Sequence, residues 1–227
     1  LKELDSHHAL FLLRIVFAIP KLLYIPRTSP TFTRQDLLTE YDEIVRHALE
    51  DISNVKLDDS SWEQATLPVA MGGIGLSSAI QLAPSAYLAS AAGCDGLVTD
   101  ILPEDTDMEN GDMMTAFLQW CSLSEADVSE SIRHPENQKQ WTNAVNEKKL
   151  ERLRENALNE TTSVRLNAHQ GKMAGAWLHA YPSQALGLKL TDDQTRISLA
   201  LRLGAKACEP HICSCGNNAH KDGLNVL

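Results

Sequence analysis

The sequence predicts an all-α fold: an irregular helical bundle with no substantial sheet. Three observations lead there. The apolar weight falls on Leu, Ala and Ile, while aromatic residues make up only 5% of the chain, a bias that favours helix. Apolar residues recur at three-and-four spacing in several segments, and no alternating pattern extends beyond a few residues. Gly and Pro fall mainly where those periodic segments stop. With 227 residues and 43% hydrophobic content, the chain can bury a core in one large domain or two small ones, which excludes bulk disorder.

The first helix is expected from Asp5 or Ser6, whose side chains can accept from free first-turn amides, to near Ile19, where Pro20 stops or kinks it. Pro26 and Pro30 then bracket a turn-rich passage. Thr33 is the expected N-cap of the clearest helix, with Asp36 three residues on. Leu37, Leu38, Tyr41, Ile44, Val45, Ala48, Leu49 and Ile52 form its apolar face; Arg34, Glu40, Glu43, Arg46 and Glu50 take the other. A short helix surrounds Trp62, and Gly72-Gly73-Ile74-Gly75 forms a tight loop. That loop lacks both the dinucleotide-binding spacing and the Gly-Lys-Ser/Thr ending of a phosphate loop. Ser77 to Ala92 is a small-residue helix stopped at Gly93, with Pro84 starting a new helix if it breaks the first. Short helices are expected at Met113–Cys121 and Ser124–Ile132, then longer ones over Asn137–Leu158 and Val164–His179. The last helix begins at Thr191, with Gln194 completing a capping box, and stops at Gly204.

Four contiguous regions follow from this reading: helical residues 1–100, an acidic loop-rich connector over 101–136, a helical region over 137–207 and a Cys/His tail over 208–227. The net charge is −10, unevenly spread. The connector holds nine acidic residues against one basic, whereas 137–227 holds twelve basic against eight acidic. The connector reads as a solvated linker, and the charge pattern alone does not point to nucleic acid. The apolar stretch from Ala9 to Ile25 is broken by Arg14, Pro20 and Lys21 and lacks a small-residue cleavage pattern, so neither a membrane span nor a signal peptide is expected. Five cysteines in two singletons and one cluster are not a disulfide framework and imply a reducing, intracellular setting, with nucleus and cytoplasm not distinguished. The chain opens on Leu1 without an initiator Met, which suggests a truncated product.

The only constellation with chemical specificity is Cys208, His211, Cys213 and Cys215, followed by His220. Thiolates and imidazoles at this density can ring a tetrahedral zinc ion, although one residue between Cys213 and Cys215 is short for a knuckle. The alternative is a flexible tail of unligated thiols. His7, His8, His169 and His179 read as structural or surface side chains. Asp58-Asp59, Glu104-Asp105 and Asp192-Asp193 read as loop residues or helix-start acids. No nucleophile elbow, activated cysteine or convergent carboxylate pair is visible.

Three passages, in order, resemble the region after the palm in reverse-transcriptase polyproteins of non-LTR retrotransposons. The first runs from His8-Ala-Leu-Phe-Leu-Leu-Arg14 through Ile19-Pro20-Lys21-Leu22 to Tyr24-Ile-Pro-Arg27-Thr-Ser-Pro30. The second is Trp62-Glu-Gln-Ala-Thr-Leu67-Pro68-Val, then Gly72-Gly73-Ile-Gly75-Leu and Leu82-Ala-Pro84-Ser-Ala-Tyr-Leu-Ala-Ser90. The third is Ala176-Trp177-Leu-His-Ala-Tyr-Pro182, then Arg196 to Gly204, ending in Cys208-Glu-Pro-His211 and Cys213-Ser-Cys215-Gly216. The resemblance implies a thumb-like region over 1–100, a helical connector and a cysteine/histidine cluster that binds zinc beside template RNA or target DNA. The palm's Tyr-x-Asp-Asp motif is absent, so no polymerase catalytic residue carries over. Asn225 stands where similar sequences place a ligating His, and Leu227 precedes their last Cys; the site of Cys208, Cys213, Cys215 and His220 is therefore expected to be degenerate, with no cofactor held.

The functional expectation is a non-catalytic fragment or relic of such a polyprotein. It would contact RNA or DNA weakly through Lys148, Lys149, Arg152, Arg154 and Arg165. The alternatives are a helical scaffold that docks protein partners, or a small zinc module at the C-terminus.

Overall fold

The first helical run of the chain ends at Ala18, where the backbone turns to φ −75°, ψ −134°. The computed structural model describes residues 1–103, 111–127, 137–157, 160–214 and 216–219. Helix α1 (Ser6–Leu12) starts where Asp5 accepts the His8 amide, runs on as a π-helical turn over Leu13–Phe17 and stops at Ala18. The first helix breaks at Ala18, next to Ile19 where a stop or kink was expected, and Pro20 belongs to the helix that follows. Pro20 lies at the second position of α2 (Ile19–Leu22), where a missing N–H costs nothing. Pro26 likewise sits inside α3 (Tyr24–Thr28), so the expected turn-rich passage is mostly helical. The run Ser6–Thr28 is long and apolar enough in composition to cross a membrane, although 39% of its apolar window is buried within the protein.

Helix α4 (Gln35–Ser53) follows a 3-10 turn over Thr31–Thr33. Thr33 is not its cap, because its hydroxyl donates back to the Pro30 carbonyl instead. Leu38, Val45, Leu49 and Ile52 are buried as expected, whereas Leu37 and Ile44 are exposed. Helix α5 (Asp59–Ala65) is capped by Asp58, which accepts the Ser61 amide. Helix α6 (Ala79–Ile101) is capped by Ser78 and carries Pro84 inside it. It does not stop at Gly93. A glycine there weakens the helix by only about 1 kcal/mol, and the flanking Ala, Leu and Val residues carry the helix on.

Helix α7 (Gly111–Ser124) exceeds its expected bounds and ends where Glu125 adopts φ 54°. The expected helix over Ser124–Ile132 has no helical start in its described part, and its remainder lies outside the described residues, as does the core of the acidic loop. Helix α8 (Gln138–Glu155) agrees with the sequence. The expected helix Val164–His179 is two: α9 (Glu160–Ala168) and α10 (Ala176–His179). Turns over residues 169–175 separate them and end at Gly175, where any side chain would collide with Val69 and crowd Arg202. Helix α11 (Asp192–Leu203) has the full capping box of Thr191 and Gln194 and ends at Gly204 with φ 69°. Strands β1 (His211–Ile212) and β2 (Asn218–Ala219) pair antiparallel, His211 opposite Ala219 and Ile212 opposite Asn218. The fold is thus mostly α, with this hairpin as the only sheet among the described residues.

The chain forms two compact units, neither contiguous in sequence. One comprises Leu1–Ala18, Glu43–Leu76 and Arg152–Leu227; the other comprises Ile19–Asp42 and Ser77–Glu151. The second unit packs Phe32, Leu38, Ala83, Leu88, Ala116, Trp120 and Trp141 into one cluster. Trp120 and Trp141 meet edge to face at 4.7 Å, and the Trp120 indole donates to the Trp141 carbonyl at 2.9 Å, satisfying a polar group the core would otherwise strand. In the same unit, the buried Asp42 carboxylate accepts from the Ser78 hydroxyl and the Ala79 amide, at 2.5 and 2.7 Å. One helix thereby holds the N-terminus of another. The first unit is built around Leu10, Leu13, Leu49, Leu67, Ile74, Leu199 and Leu203, all buried.

Candidate functional site: an arginine-bound glycine loop

The loop Leu67–Leu76 folds tightly because its glycines permit it. Pro68 opens a 3-10 turn over Val69–Met71, and Gly72 closes that turn at φ 92°. Gly75 is also left-handed, at φ 77°, a conformation that side chains disfavour. Gly73 has a second constraint: a Cβ there would drive into the backbone carbonyls of Leu67 and Gln64. Backbone bonds from Gly73 to Pro68 and from Gly75 to Leu67, at 3.1 and 2.9 Å, draw the loop closed. A turn this tight leaves carbonyls that cannot all be met by the backbone.

Side chains from three other elements meet them, and a fourth, Arg165, braces those side chains. Arg202 of α11 donates to the carbonyls of Gly73 and Val69, both at 2.9 Å, and to Ala174 at 3.0 Å. Arg14, in the π-helical turn, donates to the Ile74 carbonyl at 2.5 Å and to that of Leu178. Gln64 of α5 donates to the carbonyls of Gly72 and Arg202, at 3.0 and 2.8 Å. Arg165 of α9 donates to the Gln64 side-chain oxygen and the Arg202 carbonyl, both at 2.6 Å. The oxygens these arginines meet are all neutral. Burial therefore acts against their charge: it lowers Arg14 to about 10, with the nearby Arg202 charge adding to the effect. Burial likewise lowers Arg202, and lowers Arg165 against the opposing charge of Asp58. His169 is pushed down by burial first and by the Arg202 charge second. Chemically, the arrangement fixes a backbone: three guanidiniums and one amide donate to main-chain and amide oxygens.

The expected nucleic-acid residues do not share one exposed face. Lys149 is buried, only 1% exposed, and so is not a surface contact as expected. Arg165 is half-buried and turned onto Gln64 and Arg202. Lys148 is held by Glu125 and Glu151, each at 2.9 Å, and those two hydrogen bonds raise its pKa. Arg152 is half-buried, and Arg154 is exposed with one bond to the Gln170 side chain. In the tail, Cys208 and Cys213 are half-buried, while Cys215 and His220 lie outside the described residues. The Cys213 amide donates to Asn217 and the Gly216 amide to Cys213, each at 2.8 Å, forming the hairpin turn. Among the described residues no group of three His, Cys, Asp or Glu converges to hold a metal ion.

Arg14, Gln64 and Arg202 were missed from the sequence, although a signal was present. Arg14 stands in Leu-Leu-Arg-Ile-Val and Arg202 in Leu-Ala-Leu-Arg-Leu: a lone cation within an apolar run that must either leave the core or find oxygens there. The sequence of this chain matches no protein-family model, no curated protein and no solved structure.

Proposed function

We propose that this chain is a non-catalytic helical module of the kind that follows the palm in non-LTR retrotransposon reverse-transcriptase polyproteins, acting inside the cell as scaffold with weak nucleic-acid contact. One observation carries the reading. The three ordered passages that resemble this region meet at the glycine loop: the second holds the loop and Gln64, while the first supplies Arg14 and the third Arg202 as donors to its carbonyls. Residues far apart in sequence that resemble one family thus serve one structural purpose, as expected if they descend together.

Two measurements test it. The sequence of the gene upstream of Leu1 should carry an in-frame palm or the remains of one; an unrelated coding sequence there defeats the reading. Filter binding with single-stranded RNA and duplex DNA should give weak retention that disappears as salt rises, and Arg154→Glu should reduce it. Absence of retention at low salt removes the nucleic-acid part and leaves the scaffold. Protein docking is a second reading, favoured by Leu97 and Ile101 on α6 and Met114 and Leu118 on α7, all at least half exposed. A pull-down yielding one stoichiometric protein and no nucleic acid would select it.

A further inference from the structure

The start of α1 and the segment entering α11 are joined by bonds that cross more than 180 residues of sequence. The Leu190 amide donates to His7 Nδ1 at 3.0 Å. The Ser6 amide donates to Asp192 Oδ1 at 2.7 Å. Lys189 pairs with Asp5 at 3.1 Å, and His8 Nδ1 lies 2.8 Å from the same carboxylate. His7 is only 3% exposed. Its Nδ1 can accept from Leu190 only while it carries no proton, which assigns the neutral Nε2–H tautomer.

We propose that His7 is the acid-sensitive pin of a clasp between α1 and α11: neutral, it accepts the Leu190 amide and holds the clasp; protonated, it cannot, and the clasp opens. Loss of the bond would leave two donors, Nδ1–H and Leu190 N–H, facing each other in a buried place. The surrounding charges do not rescue the cation. On its own helix His7 faces Asp5 and His8, but Asp5 is already shared between His8 and Lys189. From the opposite segment it faces Lys189, whose charge repels an imidazolium, while the Asp192 carboxylate there accepts the Ser6 amide. Lys2, Asp51 and Arg196 line the groove beside Ser6, and Lys2 and Asp51 are paired with one another at 2.9 Å. Burial first, then the neighbouring His8, holds the His7 pKa below its ordinary 6.5, so the clasp stays shut at neutral pH. Its opening would loosen the joint between the helical segments that carry Arg14 and Arg202.

Amide hydrogen exchange on the whole chain tests this, read as protection factors corrected for intrinsic rates. Between pH 7.5 and 5.0 the wild-type Leu190 and Ser6 amides should lose protection about tenfold or more. In His7→Asn the amide oxygen takes the place of Nδ1 as a non-titrating acceptor, so protection should stay flat with pH. His8→Asn should keep the wild-type loss. Should His7→Asn not fold, NMR of the wild-type His7 ring decides: its titration midpoint should coincide with the loss of Leu190 protection. Unchanged Leu190 protection at pH 5.0, an equal loss in His7→Asn, or non-coincident midpoints would overturn the clasp.

Discussion

Arg202 is 2% exposed and spends three guanidinium nitrogens on three carbonyls. Arg202→Met keeps much of the volume but leaves the carbonyls of Gly73, Val69 and Ala174 without these donors. The Val69 carbonyl keeps the Gly72 amide, so two carbonyls are stranded; at about 1–3 kcal/mol each the loss should be about 2 kcal/mol or more, read as a lower urea midpoint. Arg202→Lys should not restore it, because an ammonium cannot reproduce the planar fork. Gly73→Ala attacks the same loop from inside, since the added Cβ meets backbone carbonyls that cannot yield. It should destabilise by at least as much. The sequence made the glycine loop legible as a turn, but not what holds it. Glycine at Gly72 and Gly75 signals local backbone geometry, which depends on few neighbours. The partners come from Arg14 and Arg202, more than 50 residues before and more than 120 after, and no local pattern encodes that meeting.

At the scale of elements, capping chemistry was the most readable feature where the cap is local. Thr191 with Gln194 forms its box, and Gly204 takes the left-handed end. Thr191→Ala should cost about 1 kcal/mol, seen as a shift in the denaturation midpoint with an unchanged slope. Thr33 failed as a cap because its hydroxyl found the Pro30 carbonyl first, a local competition that the cap rule alone does not resolve. The start of α6 combines both cases. Ser78 caps it from within, at 3.4 Å to the Gln81 amide, while Asp42 reaches it from another helix. Asp42→Ala should therefore cost more than Ser78→Ala, since it strips a buried carboxylate from two donors at once. A larger loss in Ser78→Ala would show the tertiary cap to be the weaker one. Gly175, just before α10, has the same lesson: it looks like one more small residue until Val69 is placed against it.

Across the whole molecule the buried titratable groups set opposing slopes of stability against pH. His7 and His169 are both depressed below 6.5, His7 by burial and the His8 charge, His169 by burial and the Arg202 charge. The unfolded chain then binds more protons than the folded one just below 6.5. Their stabilisation is full above about pH 6.5 and declines as pH falls through the folded values. Asp42 acts the other way. Burial raises its pKa above 3.8 despite hydrogen bonds from Ser78, Ala79 and Ile80 and the charge of Lys149. Between 3.8 and that raised value the folded state holds the extra proton, so acidification there restores stability. The thermal midpoint should accordingly fall by a few degrees from pH 7.5 to 5.5, at about 2–4 °C per kcal/mol for a chain of this size. The double variant His7→Asn, His169→Gln should flatten that fall, and Asp42→Asn should leave it in place while removing the partial recovery nearer pH 4. A wild-type midpoint that rises on acidification to pH 5.5 would mean that buried carboxyls, not imidazoles, govern this range. That outcome would move the pH sensitivity of the chain from the α1–α11 joint to the start of α6.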